Sequence, residues 1–181
     1  MNIFVGCASR NTENEAFNCL AEEIGKFIVE GNHTYVFGGC NNGLMGKIYS
    51  VVKDTDCEVF AAGVEAYKDE IVNLIKNNPK VSRKISKTVN ERKNALMDFA
   101  DVIIIIPGGF GTLDELFSAI EAKRTGQNHP IFIVNVDEYY SPLIEMLEKV
   151  YSEKFASEEN RDLYKICSSF DELKEELEKL S

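Results

Sequence analysis

Nine residues, Pro107-Gly-Gly-Phe-Gly-Thr-Leu-Asp-Glu115, have the types and spacing to do chemistry. Three glycines at a strand-to-helix turn leave backbone N–H groups uncovered by side chains. The helix that follows adds unpaired N–H groups and the positive end of its dipole. Together these make an anion site, and phosphate is its commonest guest. Glu115 stands one turn into the helix, so a carboxylate lies beside whatever the loop holds. A phosphate cradle with an adjacent carboxylate points to chemistry on a phosphorylated small molecule. The segment is not a dinucleotide fingerprint, because Asp114 falls where a third glycine would stand, and it is not a P-loop, because no G-K-[ST] follows.

A second cluster is Asn90-Glu-Arg-Lys93. It opens a helical stretch in which Asn90 is a candidate N-cap. Arg92 and Lys93 then fall in the first turn, where the dipole disfavours cations. An anionic ligand would offset that, and an arginine there can grip phosphate with two parallel hydrogen bonds. A solvated surface pair beside Glu91 is the plainer reading. Thr112-Leu-Asp-Glu115 likewise fits a capping box, with Glu115 reaching back to the Thr112 N–H, so the carboxylate has both a structural and a chemical reading. Asp114, roughly 100° round the helix, is expected to face solvent or a neighbouring loop. Cys7 and Cys40 lie in loops of the same kind, with nothing basic beside them to mark a nucleophile.

The elements that must position these residues alternate along the chain. Apolar strand-like runs are expected at 3–6, 35–37, 58–64, 80–88, 102–106, 131–134 and 164–167. Helical stretches are expected at about 12–30, 44–53, 69–77, 90–100, 112–124, 142–154 and 171–180. Strict alternation with continuous apolar strands specifies an α/β fold: a Rossmann-like, doubly wound parallel sheet with helices on both faces. Every strand-to-helix loop then lies on the carboxyl edge, where ligands bind. Gly6–Arg10, Gly38–Gly43, Asn90–Lys93 and Pro107–Thr112, far apart in sequence, are expected to share one rim.

Composition narrows the partners. At 181 residues the chain is expected to form a single nucleotide-binding domain over residues 1–181. A net charge of −10 weighs against nonspecific nucleic-acid binding and against an anionic membrane surface. No run approaches the roughly 18 apolar residues of a membrane span, and the N-terminus lacks a basic region followed by a long apolar stretch. Five scattered cysteines without a C-x-x-C pair read as reduced thiols, and a cytoplasmic protein is expected. With only His33 and His129, zinc-ligand spacing is absent and no metal site is expected.

Taken together, Gly38-Gly-x-x-x-Gly43-Leu-Met-Gly46, Glu91-Arg92-Lys93 and Pro107-Gly-Gly-x-Gly-Thr-x-x-Glu115 resemble the LOG (Lonely Guy) family. Its characterised members are cytokinin riboside 5′-monophosphate phosphoribohydrolases, and an older label for such sequences is "possible lysine decarboxylase". The resemblance runs from residue 3 to about residue 155 and includes Asn135-Val-Asp-Glu-Tyr-Tyr. It implies that Arg92 and Glu115 form the catalytic pair. It also implies that Lys93, Gly108, Gly109, Phe110, Gly111 and Thr112 bind the nucleotide. It implies a homodimer; the helix Leu113–Lys123 is then expected to supply much of the contact, with Leu116, Phe117 and Ile120 at helical spacing, and the alternative for these three is inward packing on the sheet of one subunit. The implied reaction is hydrolysis of the N-glycosidic bond of a nucleoside 5′-monophosphate to free base and ribose 5-phosphate, with no metal or organic cofactor required.

Departures from the family pattern are Cys40 in a usual Gly-Gly-Gly run, Asn90 for a common histidine, and Glu121-Ala122 for a common Thr-Trp pair. The stretch 64–88 is poorly matched. These leave the phosphate and ribose ends intact and the base unassigned. Two rivals remain at this level. One is a carrier that holds a phosphorylated ligand without turnover, as molybdenum-cofactor carrier proteins do. The other is a pyridoxal-phosphate decarboxylase, for which the sequence offers no distinct Schiff-base lysine.

Overall fold

The computed structural model describes residues 1–69, 71, 73, 78 and 80–180. The strands are β1 (Asn2–Gly6), β2 (Thr34–Phe37), β3 (Val59–Val64), β4 (Val81–Ser86), β5 (Val102–Ile105), β6 (Ile131–Val134) and β7 (Lys165–Cys167). The helices interleave as α1 (Glu15–Glu30), α2 (Gly43–Val52), α3 (Val89–Phe99), α4 (Phe110–Arg124), α5 (Ser141–Ser152) and α6 (Phe170–Glu178). Most of the helix expected over 69–77 lies outside the described residues.

The sheet has seven strands in the order β4-β3-β2-β1-β5-β6-β7, and every pairing is parallel. The chain therefore winds outward from β1 to β4, returns to β5 on the other side of β1, and winds outward again. The reversal sits between β1 and β5, paired from Ile3↔Val102 to Gly6↔Ile105. In such sheets a crevice opens at that switch point, beyond the carboxyl ends of the two strands.

Side-chain alternation along the central strands builds two cores. Ile3, Val5, Val102 and Ile104 pack with Leu20, Ile24 and Ile28 of α1, Ile48 of α2 and Leu173 of α6. Phe4, Ile103 and Ile105 point the other way and pack with Leu96 of α3 and Leu116 of α4. Both faces of the sheet are thus covered, which is why the inner strands read as unbroken apolar runs.

Helix starts follow side-chain chemistry. Asn14 opens α1 by accepting from the Ala16 and Phe17 N–H groups at 2.9 and 3.3 Å. Two expectations need correction. The N-cap of α3 is Thr88, not Asn90: the Thr88 side chain accepts from the Glu91 N–H, and Glu91 reaches back in a full capping box. Helix α4 begins at Phe110 rather than Thr112, with Gly109 as its N-cap. Among the described residues, no helix is long and apolar enough to cross a membrane.

Candidate active site

The loop after β5 meets the crevice beside β1. Gly109 caps α4 without any side-chain hydrogen bond. The first intrahelical bond runs from the Leu113 N–H to the Gly109 carbonyl at 3.1 Å, so the amides of Phe110, Gly111 and Thr112 precede it at the positive end of the helix. A Cβ built on Gly109 or Gly111 would meet nothing within 4 Å, so both positions border open space. A Cβ on Gly108 would strike Thr112 Oγ1 at 2.1 Å, so glycine is required there by packing. Thr112 is buried, whereas the Phe110 ring is 93% exposed. The turn therefore has the uncovered amides that an anion site needs.

The capping-box reading of Thr112 and Glu115 is not what the structure holds. Since α4 starts earlier, Thr112 lies inside it, and the Glu115 carboxylate turns away from the helix end toward Arg92 of α3. Arg92 Nη1 donates to Glu115 Oε1 at 3.2 Å, and Arg92 Nε donates to the carbonyl of Ala62, within β3, at 3.0 Å. The guanidinium lies against Gly38, where a Cβ would stand 2.1 Å from Nη2. Gly38 is thus the space into which the arginine fits.

Glu115 is 3% exposed. Its Oε2 is buried without a hydrogen-bond partner, next to Gly6 at the end of β1, where a Cβ would lie 3.2 Å away. Burial pushes the Glu115 carboxyl above its ordinary range, and the charge and hydrogen bond of Arg92 pull partly back. The result is a carboxyl at the switch point, held by one oxygen and with the other unmatched.

Lys93, expected to bind nucleotide, is buried and directed at α4. Its ammonium donates to Asp114 Oδ1 at 2.8 Å and to Ser118 Oγ at 3.1 Å. Asp114 is half-exposed to solvent, as expected, and on its other side meets the ammonium from the neighbouring helix α3. Lys93 still helps to hold Glu115 ionised through its charge, in a minor way.

The expected rim is assembled by backbone bonds. The Ala8 N–H donates to the Pro107 carbonyl at 3.0 Å, and the Met45 N–H to the Ala8 carbonyl at 3.3 Å. The Gly43 N–H donates to Asn11 Oδ1 at 3.0 Å. The loops after β1, β2 and β5 are therefore stitched together. Cys7 is buried there, and burial followed by the Glu115 charge pushes its thiol well up, which disfavours the thiolate.

Sequence reasoning assigned no role to two tyrosines that support the glycine loop. Tyr139 donates to the Gly108 carbonyl at 2.6 Å, and Tyr140 to the Ile106 carbonyl at 2.9 Å. The available signal was their place just after β6, in another loop on the carboxyl edge.

A protein family described as possible lysine decarboxylase matches residues 45–177. The chain is 31% identical to a probable cytokinin riboside 5′-monophosphate phosphoribohydrolase of Oryza sativa subsp. japonica, over 94% of this chain and 74% of that protein. It is 25% identical to the cytokinin riboside 5′-monophosphate phosphoribohydrolase of Rhodococcoides fascians, over 94% and 85% respectively. Among solved structures, the molybdenum cofactor binding protein of Rippkaea orientalis matches with a TM-score of 0.69 and 20% identity, covering 99% of this chain and 96% of that one. At that identity the likeness concerns the fold alone.

Proposed function

The chain belongs to the family described as possible lysine decarboxylase, the LOG family, and from that premise we propose that it hydrolyses the N-glycosidic bond of a nucleoside 5′-monophosphate. The products are a free base and ribose 5-phosphate. The observation that carries the reading is the Arg92–Glu115 pair at the switch point, its carboxylate buried and its guanidinium largely so, beside a glycine turn without a side-chain cap.

In this reading Gly108, Gly109, Phe110, Gly111 and Thr112 hold the 5′-phosphate through backbone amides and the helix dipole. Arg92 orients Glu115 and positions the nucleotide. The Glu115 carboxylate lies near the ribose, where it stabilises positive charge developing on the sugar as the C–N bond breaks, and orients or activates the water that attacks the anomeric carbon. Lys93 supports this arrangement by holding Asp114 and Ser118. The relatives named as phosphoribohydrolases support the same chemistry. A carrier would need the loop without the Arg92–Glu115 pair, so the pair favours turnover.

The family's description would instead call for a lysine amine free to form a Schiff base with pyridoxal phosphate. Lys93, a buried lysine of this region, is an ammonium committed to a carboxylate and a hydroxyl, and does not fit that group. A homodimer accompanies the proposed function, with α4 at the contact. The test is to incubate the purified protein with a panel of nucleoside monophosphates and to separate the products by chromatography. Release of free base with stoichiometric ribose 5-phosphate is expected; an unchanged panel would remove the reading.

A further inference from the structure

We propose that Tyr139 is a positioning residue of the phosphate loop: its hydroxyl sets the Gly108–Gly109 peptide so that the amide faces the open cradle. This rests on the phosphate reading of that loop. In a trans peptide the C=O and N–H point in opposite directions. The Gly108 carbonyl is taken by the Tyr139 hydroxyl at 2.6 Å, so the Gly109 N–H points away from the tyrosine. The space beside Gly109 is open, with nothing within 4 Å of where a Cβ would be.

The tyrosine is itself held in place by the turn before it and by two ring contacts. Asp137 and Glu138, just before it, have φ of 51° and 54°. Two successive non-glycine residues in the left-handed region are uncommon, and such backbone clusters beside functional loops. Asn14 Nδ2, at the start of α1, donates to Asp137 Oδ2 at 2.7 Å and ties this turn down. The Tyr139 ring is then fixed edge-on by Phe17 at 5.4 Å and Tyr140 at 4.9 Å. Tyr140 is buried in the core, whereas Tyr139 remains 42% exposed. The unusual turn thus delivers a half-exposed ring whose hydroxyl reaches the loop.

Tyr139→Phe keeps both ring contacts and removes the hydroxyl. Calorimetric titration with ribose 5-phosphate, a ligand that needs no turnover, is the primary measurement. The variant is expected to bind about fivefold to tenfold more weakly than the parent, the loss of one hydrogen bond's worth of order, with an unchanged melting midpoint. In assays with a nucleoside monophosphate, KM is expected to rise by a similar factor while kcat stays near the parent value. Equal affinity of parent and variant for ribose 5-phosphate overturns the proposal and leaves the phosphate loop standing. A fall in kcat with unchanged KM also overturns it, because the hydroxyl would then act on the chemistry. A parent that does not bind ribose 5-phosphate overturns the loop reading and this proposal together.

Discussion

At the scale of single residues the site turns on Glu115. Glu115→Gln keeps size and hydrogen bonding to Arg92 but removes the charge. Base release is expected to fall by about 10²- to 10⁴-fold while the far-ultraviolet spectrum is retained; near-parent turnover would take Glu115 out of the mechanism. The pH dependence follows from its environment. Burial raises the carboxyl above the ordinary value of 4.5, so the ionised form that the proposed reaction calls for is populated only at higher pH. The acid limb of kcat is expected above that value. Arg92 pulls it down, so Arg92→Gln should move the limb to higher pH as well as lower activity. A limb that stays put in Arg92→Gln would show that the guanidinium does not tune this carboxyl. The same sign governs stability: Glu115 ionises less readily in the folded chain, so its contribution to folding diminishes as pH rises from the ordinary carboxylate pKa through the raised one.

How much of this was legible differs residue by residue. The glycine turn could be read because three glycines after an apolar strand serve one purpose. The Arg92–Glu115 contact could not be derived from spacing, since it depends on α3 and α4 lying side by side on one face of the sheet; the family resemblance supplied the pair but not its geometry. The four-residue signature Thr-x-x-Glu means different things at two helix starts. At Thr88–Glu91 it is a capping box. At Thr112–Glu115 it is not, because Gly109 starts that helix earlier and Arg92 competes for the carboxylate.

At the scale of elements, α3 matters because it carries Arg92 and Lys93 to α4. Its start depends on Thr88. Thr88→Ala is expected to cost about 1 kcal/mol in denaturant unfolding, and Asn90→Ala much less. Equal losses would mean that the helix start is wrongly placed. The inner strands were readable because they are buried on both faces. β4 and β7 were harder, for a physical reason: they are the sheet's edges. In β4 the buried ends enclose exposed Ser82, Arg83 and Lys84, charges that also discourage edge-to-edge pairing. Asparagine is itself a good cap, which makes Asn90 a candidate from the sequence; the reciprocal Glu91 three residues after Thr88 is the deciding signal.

At the scale of the molecule, strand alternation led to the doubly wound sheet, but the strand order that puts the reversal between β1 and β5 came from the structure. Of the three residues expected at a dimer contact, Leu116 is fully buried in the subunit core and Ile120 packs against that core, while Phe117 is 45% exposed. Phe117 is therefore the place to test. Light scattering is expected to give about twice the 20.4 kDa chain mass, and Phe117→Glu to lower it toward one chain with a loss of activity. A fully active monomer would show that the site is complete within one subunit.

The central claim is that a phosphate-holding loop and the Arg92–Glu115 pair act together on one nucleotide. It is tested most directly by comparing base release from AMP and from adenosine, measured as kcat/KM. In the proposed reading most of the binding apparatus addresses phosphate, and that remote binding energy would position the reacting bond. The account predicts that the monophosphate is hydrolysed far faster than the nucleoside. Equal turnover of the two, with the glycine loop irrelevant to rate, would contradict it.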